Sequence, residues 1–180
     1  MTIPLHQYLD ILHRISHSLV QQENIEALSQ TITDEIDKLQ LYSTIRLYLL
    51  EGNQLILKSI AGELQVSPPH RKILVGSGVI GKSVKENNPI IINNIYASDS
   101  KEEFDFSLQA VYCIPLKINH HTIGALVLGS KNVEAFTIND KKYLNMLASG
   151  ISIAIHNAFN YQMLKAHNKI SKMTTSNLEF

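Results

Sequence analysis

The spacing of apolar residues changes along the chain, and each change marks a new element. Leu5, Tyr8, Leu9, Leu12, Ile15 and Leu19 recur every three or four positions, which places them on one helical face in need of a partner surface. Ile25, Leu28, Ile32, Ile36 and Leu39 repeat the pattern behind Asn24, whose side chain suits a helix N-cap. From Ser43 the period shortens to two. Ile45, Leu47 and Leu49 alternate with Thr44, Arg46 and Tyr48, then Glu51-Gly52-Asn53 leads to a second apolar run from Leu55 to Ile60, the pattern of a β-hairpin.

Gly62 to His70, with Pro68 and Pro69, reads as a loop, and Gly76 to Asn88 as a short helix before the strand Pro89-Ile90-Ile91-Ile92. A polar stretch from Asn93 to Ser107 follows. Ala110 to Ile118 and Thr122 to Leu128 are strands joined by the turn Asn119-His120-His121, a second antiparallel hairpin. Thr137, with Asp140 three residues on, has the spacing of a capping box and opens a last helix. Helical periodicity runs from Tyr143 to at least Met163, and no proline interrupts the chain up to Phe180. Some 35 helical residues would reach roughly 50 Å, farther than the body of a domain this size, so the end of the helix must project.

Charge and composition narrow the function. Sixteen basic and sixteen acidic side chains cancel, so no positive field exists to hold a nucleic-acid backbone. The apolar runs fall short of the ~18 residues a membrane span needs, and Asp10, Arg14 and three histidines occupy the region where a signal peptide would be apolar. A cytoplasmic domain with neither nucleic-acid nor membrane partner is expected. The single cysteine, Cys113, can form neither an internal disulfide nor a paired-cysteine zinc or redox site.

Gly76-Ser77-Gly78-Val79-Ile80-Gly81 matches the glycine pattern of dinucleotide-binding folds and follows the apolar triplet Ile73-Leu74-Val75. Asn87-Asn88-Pro89 ends the helix after about two turns, too short for the crossover helix such a fold requires. These glycines are better explained as allowing a tight turn and a short helix lying close against a sheet.

Taken in order, several pieces resemble the GAF family over roughly residues 5 to 163. They are the Gly76-x-Gly78-x-x-Gly81 helix, Pro89 to Ile92, a polar segment holding Asp99 and Phe104, Val111-Tyr112-Cys113-Ile114-Pro115-Leu116, Ile123 to Leu128, and Phe136-Thr137-x-x-Asp140 leading to Leu147-Ala148. The resemblance implies an α+β, GAF/PAS-like fold. Its central six-stranded antiparallel sheet would carry the N- and C-terminal helices on one face, with short helices and loops roofing a pocket on the other. It further implies a pocket lined by Val79, Ile80, Ser83, Tyr96, Asp99, Phe104 and Phe106, with Val111 and Cys113 on its floor. Strand alternation puts Val111, Cys113 and Pro115 on one side and Tyr112, Ile114 and Leu116 on the other, and leaves open which side faces the pocket. No cyclic-nucleotide signature is present, Cys113 has no adjacent histidine for bilin attachment, and free methionine-(R)-sulfoxide reductases on this fold use several cysteines. The ligand and any cofactor therefore stay unnamed, and no catalytic residue is assigned.

Other residues support plainer readings. Cys113 on an apolar strand reads as a small core side chain, and His13 with His17 lacks a third metal ligand. His120-His121 sits in a turn, and Asp99, Glu102, Glu103 and Asp105 form a solvated charged loop with some scope for ligand contact. Leu144, Leu147, Ile151, Ala154, Ala158 and Tyr161 form a heptad-like seam, which packs either on the domain's own sheet or on a second copy. A parallel homodimer through Leu9, Leu12, Leu147, Ile151, Ala154, Ala158 and Tyr161 is the expectation. Residues 1–163 then form a sensory domain, and 164–180 a signalling extension that leads to an output domain or a following module. The function expected is non-catalytic: small-ligand binding transmitted through dimeric terminal helices. A reductase-like enzyme and a dimerisation module without ligand are the alternatives.

Overall fold

The two N-terminal periodic stretches form α1 (Leu5–Leu19) and α2 (Ile25–Asp37) in the computed structural model, which describes residues 4–19, 24–63, 68–99, 104 and 107–176. Asn24 caps α2 as expected, its Oδ1 accepting a hydrogen bond of 2.7 Å from the Ala27 amide. Arg14 Nε donates at 2.5 Å to Glu35 on α2, which also accepts from Lys38, and this ion pair ties the first two helices together. Burial pushes the Glu35 carboxyl up, but the bonds from Lys38 and Arg14 outweigh it and hold the group below its usual value.

Six antiparallel strands follow: β1 (Thr44–Glu51), β2 (Gln54–Ala61), β3 (Lys72–Leu74), β4 (Ile90–Ile92), β5 (Ala110–Ile118) and β6 (His121–Ser130). They lie in the order β3-β2-β1-β6-β5-β4, so the first and last strands of the hairpin pairs meet at the centre and the short β3 and β4 form the edges. The β5–β6 turn has positive φ at both Asn119 and His120, the backbone that lets a two-residue hairpin follow the sheet's twist. β4 pairs only with Val111 to Cys113, so Pro115, which has no amide hydrogen to donate, falls where β5 has no neighbour on that side.

Strand alternation sorts side chains between two interiors. Ile45, Leu47 and Leu49 of β1, Tyr112, Ile114 and Leu116 of β5, and Leu126 and Leu128 of β6 join the buried faces of α1, α2 and the last helix. Tyr48, Val111, Cys113, Ala125 and Val127 point the other way, beneath α3 (Gly78–Lys85) and a 3-10 turn at Ile95–Ala97. That turn lies within the polar stretch from Asn93 to Ser107.

The last helix, α4 (Ile138–Ser176), has 39 residues. Thr137 and Asp140 form the expected capping box: the Thr137 amide donates to Asp140 Oδ2 at 2.9 Å and the Asp140 amide to Thr137 Oγ1 at 3.2 Å. Core contacts extend to Ala158, and the last 18 residues run on for about 27 Å at 1.5 Å per residue.

At Gly124, where β6 crosses β1, a Cβ would stand 2.2 Å from the Tyr48 carbonyl oxygen, so backbone would have to move. At Gly52 in the β1–β2 turn, φ is +60° but nothing lies within 4 Å. Urea unfolding is expected to show Gly124→Ala losing about 3 kcal/mol, because it overpacks the sheet centre, and Gly52→Ala about 1 kcal/mol, a conformational cost alone. Equal losses would mean that the crossing at Gly124 is looser than described.

Candidate functional site

The second interior lies between the sheet and its roof. Val79, Ile80 and Val84 hang from α3, Ile95 from the 3-10 turn, and Phe104 and Leu108 complete the cover; all are buried. Val111 and Cys113 form part of the floor, which resolves the face that alternation left open. Cys113 pairs with Ile90 on one side and Val127 on the other and has no solvent exposure.

The glycine motif builds this roof. Gly76 and Gly78 have positive φ, which turns the chain from β3 into α3, and a Cβ on Gly81 would lie 2.3 Å from the Leu74 carbonyl oxygen. The Gly76 amide closes the turn on the Gly81 carbonyl at 2.8 Å. Since α3 has eight residues and β3 runs antiparallel to β2, there is no parallel crossover for a dinucleotide among the described residues.

Polar groups are buried on this side of the sheet as well. Ser83, fully buried on α3, donates to the Cys113 carbonyl at 3.4 Å, and Tyr48 donates to the His70 carbonyl at 2.9 Å. Arg46 is only 1% exposed, with its Nε donating to Thr44 Oγ1 at 3.2 Å. Sequence reasoning did not single out Arg46 or Tyr48, because in an alternating strand they read as the outward polar partners of Ile45, Leu47 and Leu49. An arginine flanked by aliphatic and aromatic residues, in a fold whose sheet is covered twice, is the signal that was available. His70 Nδ1 is buried with no hydrogen-bond partner among the described residues.

Not every expected pocket residue is brought inside. Val79, Ile80, Ser83, Phe104, Val111 and Cys113 converge, whereas Tyr96 is 49% exposed and Asp99 is exposed. The tight 3-10 turn points one side chain inward, and that residue is Ile95. Phe106 lies outside the described residues, as do Glu102, Glu103 and Asp105.

The expected dimer seam divides in the same way. Leu147, Ile151 and Ala154 are buried in the chain's own core, and Ala158 packs against it. A helix lying on a sheet needs the same three- and four-residue spacing as one lying on another helix, so this stripe serves the domain itself. Leu12 is half-buried on Gly150, where a Cβ would meet its Cδ2 at 2.3 Å, while Leu9 and Tyr161 stay exposed. Leu5, Leu9, Met146 and Ile153 are all exposed and flank that Leu12–Gly150 contact.

A polar cleft also opens at the end of the sheet where α2 stops and α4 begins. Two adjoining volumes of about 440 and 290 Å³ share Leu41, Tyr42, Ser130 and Asn132. Burial, then neighbouring Tyr8 and Asp140, push the Tyr42 phenol far above its usual value, so it stays a neutral hydroxyl. The cleft draws on segments far apart in sequence and left no local motif. Among the described residues, no group of three or more His, Cys, Asp or Glu side chains is placed to hold a metal ion, and no helix is long and apolar enough to cross a membrane.

A family profile described as "GAF domain" matches residues 22–156. The chain belongs to the GAF domain family. Nothing among curated proteins matches it. Among solved structures, this GAF domain is similar to the free methionine-R-sulfoxide reductase of Neisseria meningitidis in complex with its substrate, at 17% identity and TM-score 0.75 over 89% of this chain and 95% of that one. It is also similar to fRMsr of Staphylococcus aureus in complex with substrate, at 20% identity and TM-score 0.72 over 86% and 99% of the two chains. The GAF domain of an Acinetobacter phosphoenolpyruvate-protein phosphotransferase aligns at 17% identity and TM-score 0.69, covering 84% and 94%. At such identities these likenesses speak for the fold alone.

Closure of the roof has a direct readout. Cys113 of the native GAF domain is expected to react with a thiol-specific reagent at least ~100-fold more slowly than in denaturant, because labelling must wait for α3 and the 3-10 turn to open. Labelling at the denatured rate would show that the roof does not close over β5.

Proposed function

We propose that this GAF domain is a non-catalytic cytoplasmic sensor in which a small molecule held between roof and sheet biases the position of α4. The observation that carries this reading is the set of buried polar groups on the roof side of an otherwise apolar enclosure: Arg46, Tyr48 and Ser83. A few fixed polar groups in an apolar wall are how small-molecule sites set orientation and selectivity. Arg46 favours a ligand with acceptor oxygens, because a guanidinium offers donors in a planar fork. α4 packs on the opposite face and carries the change outward to an output domain.

Dimerisation belongs to the same reading. The exposed residues Leu5, Leu9, Met146 and Ile153 form an apolar strip along α1 and α4, suited to a second copy related by a two-fold axis. Sedimentation is expected to show a dimer for the parent and a monomer for Leu9→Glu with Ile153→Glu, at unchanged thermal stability, since these side chains are 49% and 56% exposed. A monomeric parent would remove the dimer from the proposal.

Native mass spectrometry before and after denaturation tests the sensor itself. A releasable small molecule, absent from folded Arg46→Met protein, is the expected result. Protein with nothing bound, and no thermal shift across a panel of nucleotides and metabolites, would leave a dimerisation scaffold. The reductase-like alternative takes its support from the likeness to the Neisseria and Staphylococcus proteins. A lone Cys113 without exposure opposes it, because thiol chemistry needs an accessible thiolate and a second thiol to resolve the sulfenic acid formed. No reduction of free methionine-R-sulfoxide by the protein with a thiol reductant is expected; turnover lost in Cys113→Ser would reverse the assignment.

A further inference from the structure

A sensor of this design must pass a change from the roof to a helix on the far side of a six-stranded sheet. One way leads around the β4 edge, and two asparagines stand there. Asn93, directly after edge strand β4, grips the segment that leads into α4: its Nδ2 donates to the Phe136 carbonyl at 3.1 Å, its Oδ1 accepts from the Phe136 amide at 3.2 Å, and its own carbonyl accepts from the Glu134 amide at 2.8 Å. On its other side, Asn94 caps the 3-10 turn through the Ala97 amide at 3.2 Å, and that turn carries Ile95 into the roof interior.

The second link begins at the end of α3. Asn87, in a left-handed conformation, donates from Nδ2 to the His120 carbonyl and accepts from Thr122 Oγ1, both at 3.1 Å, while its carbonyl accepts from Lys117 Nζ at 3.1 Å. Lys117 sits at a register shift in β5, and its amide donates at 3.0 Å to Ser152, a fully buried hydroxyl of α4 that in turn donates to the Ala148 carbonyl at 2.7 Å. The end of the roof helix, the β5–β6 hairpin and the middle of α4 thus form one chain of hydrogen bonds.

We infer that Asn93 and the Asn87–Lys117–Ser152 chain are the elements through which the roof sets the position of α4. The inference rests on the sensor reading for its purpose, but not for its test. Both links attach the roof's flanks to α4 or its lead-in by directional bonds: one holds the segment just before its first turn, and the other reaches Ser152 in its buried half. Displacement of α3 or of the 3-10 turn therefore has to shift α4 or break a bond.

Amide hydrogen exchange on the full chain decides it without any ligand. Ile80→Ala loosens the roof from within, at a position remote from α4. Exchange in peptides spanning 134–152 is expected to rise about 2- to 30-fold, the span typical of such couplings, with no change in α2, which neither link touches. Adding Asn93→Ala and Lys117→Met should abolish the response in α4 while α3 stays loosened. An α4 indifferent to Ile80→Ala, an equal rise in α2, or a response that survives the two added substitutions would overturn the inference. If the combined variant fails a circular-dichroism check of folding, Lys117→Met alone, at an exposed site, tests the second link, with a halved or smaller response in 148–152 expected and an unchanged one contradicting it. Ligand binding is read separately by mass spectrometry, so failure of either idea leaves the other standing.

Discussion

A sheet covered on both faces is the constraint from which this structure follows. Because successive strand residues point to opposite sides, every core strand must satisfy two interiors at once, and in β1 they differ in kind. Ile45, Leu47 and Leu49 meet helices that only need apolar surface, whereas Thr44, Arg46 and Tyr48 enter a compartment where polar groups are kept under cover. Burying a guanidinium costs far more than burying a leucine. The buried polar side chains of β1 therefore lie on the roof face, and its buried aliphatic ones on the helix face.

Much of this organisation was legible in the chain. Asn24, Asn119-His120 and Thr137 with Asp140 were readable because capping and tight-turn chemistry is local: the groups that interact lie within a few residues. The central hairpins were readable because period-two alternation survives any tertiary context. What escaped was information held between segments. Alternation separates Val111 and Cys113 from Tyr112 and Ile114, but which set faces the helices is fixed only once α1, α2 and α4 are placed. Three- and four-residue spacing in Leu147, Ile151 and Ala154 was equally good for a sheet or a partner helix, and the sheet claimed them. Tyr96 and Asp99 were placed by their loop; the 3-10 turn that holds Tyr96 admits one residue inward, Ile95, and Asp99 lies exposed beyond it.

The likeness to reductases at 17% and 20% identity shows how little of this fold depends on particular side chains. What it does demand is narrow: glycine where β6 crosses β1 and where α3 meets β3, caps at α2 and α4, and apolar residues on the correct strand parity. Between those fixed points the roof-side positions are free to carry different chemistry, which is why a shared fold leaves function to the site. Here those positions hold a buried thiol beneath an apolar lid and an arginine beside a tyrosine.

The length of α4 has a mechanical meaning as well. Its first half is embedded in the core and its last 18 residues continue the same rod for about 27 Å. A rod held at one end is a lever arm: a tilt of about 5° in the embedded half, small enough for core side chains to follow by rotamer adjustment, sweeps the far tip through about 2 Å. On the proposed sensor reading, a small rearrangement near the fulcrum would become a displacement comparable to a helix-to-helix slip, its gain set by the length of helix beyond Ala158.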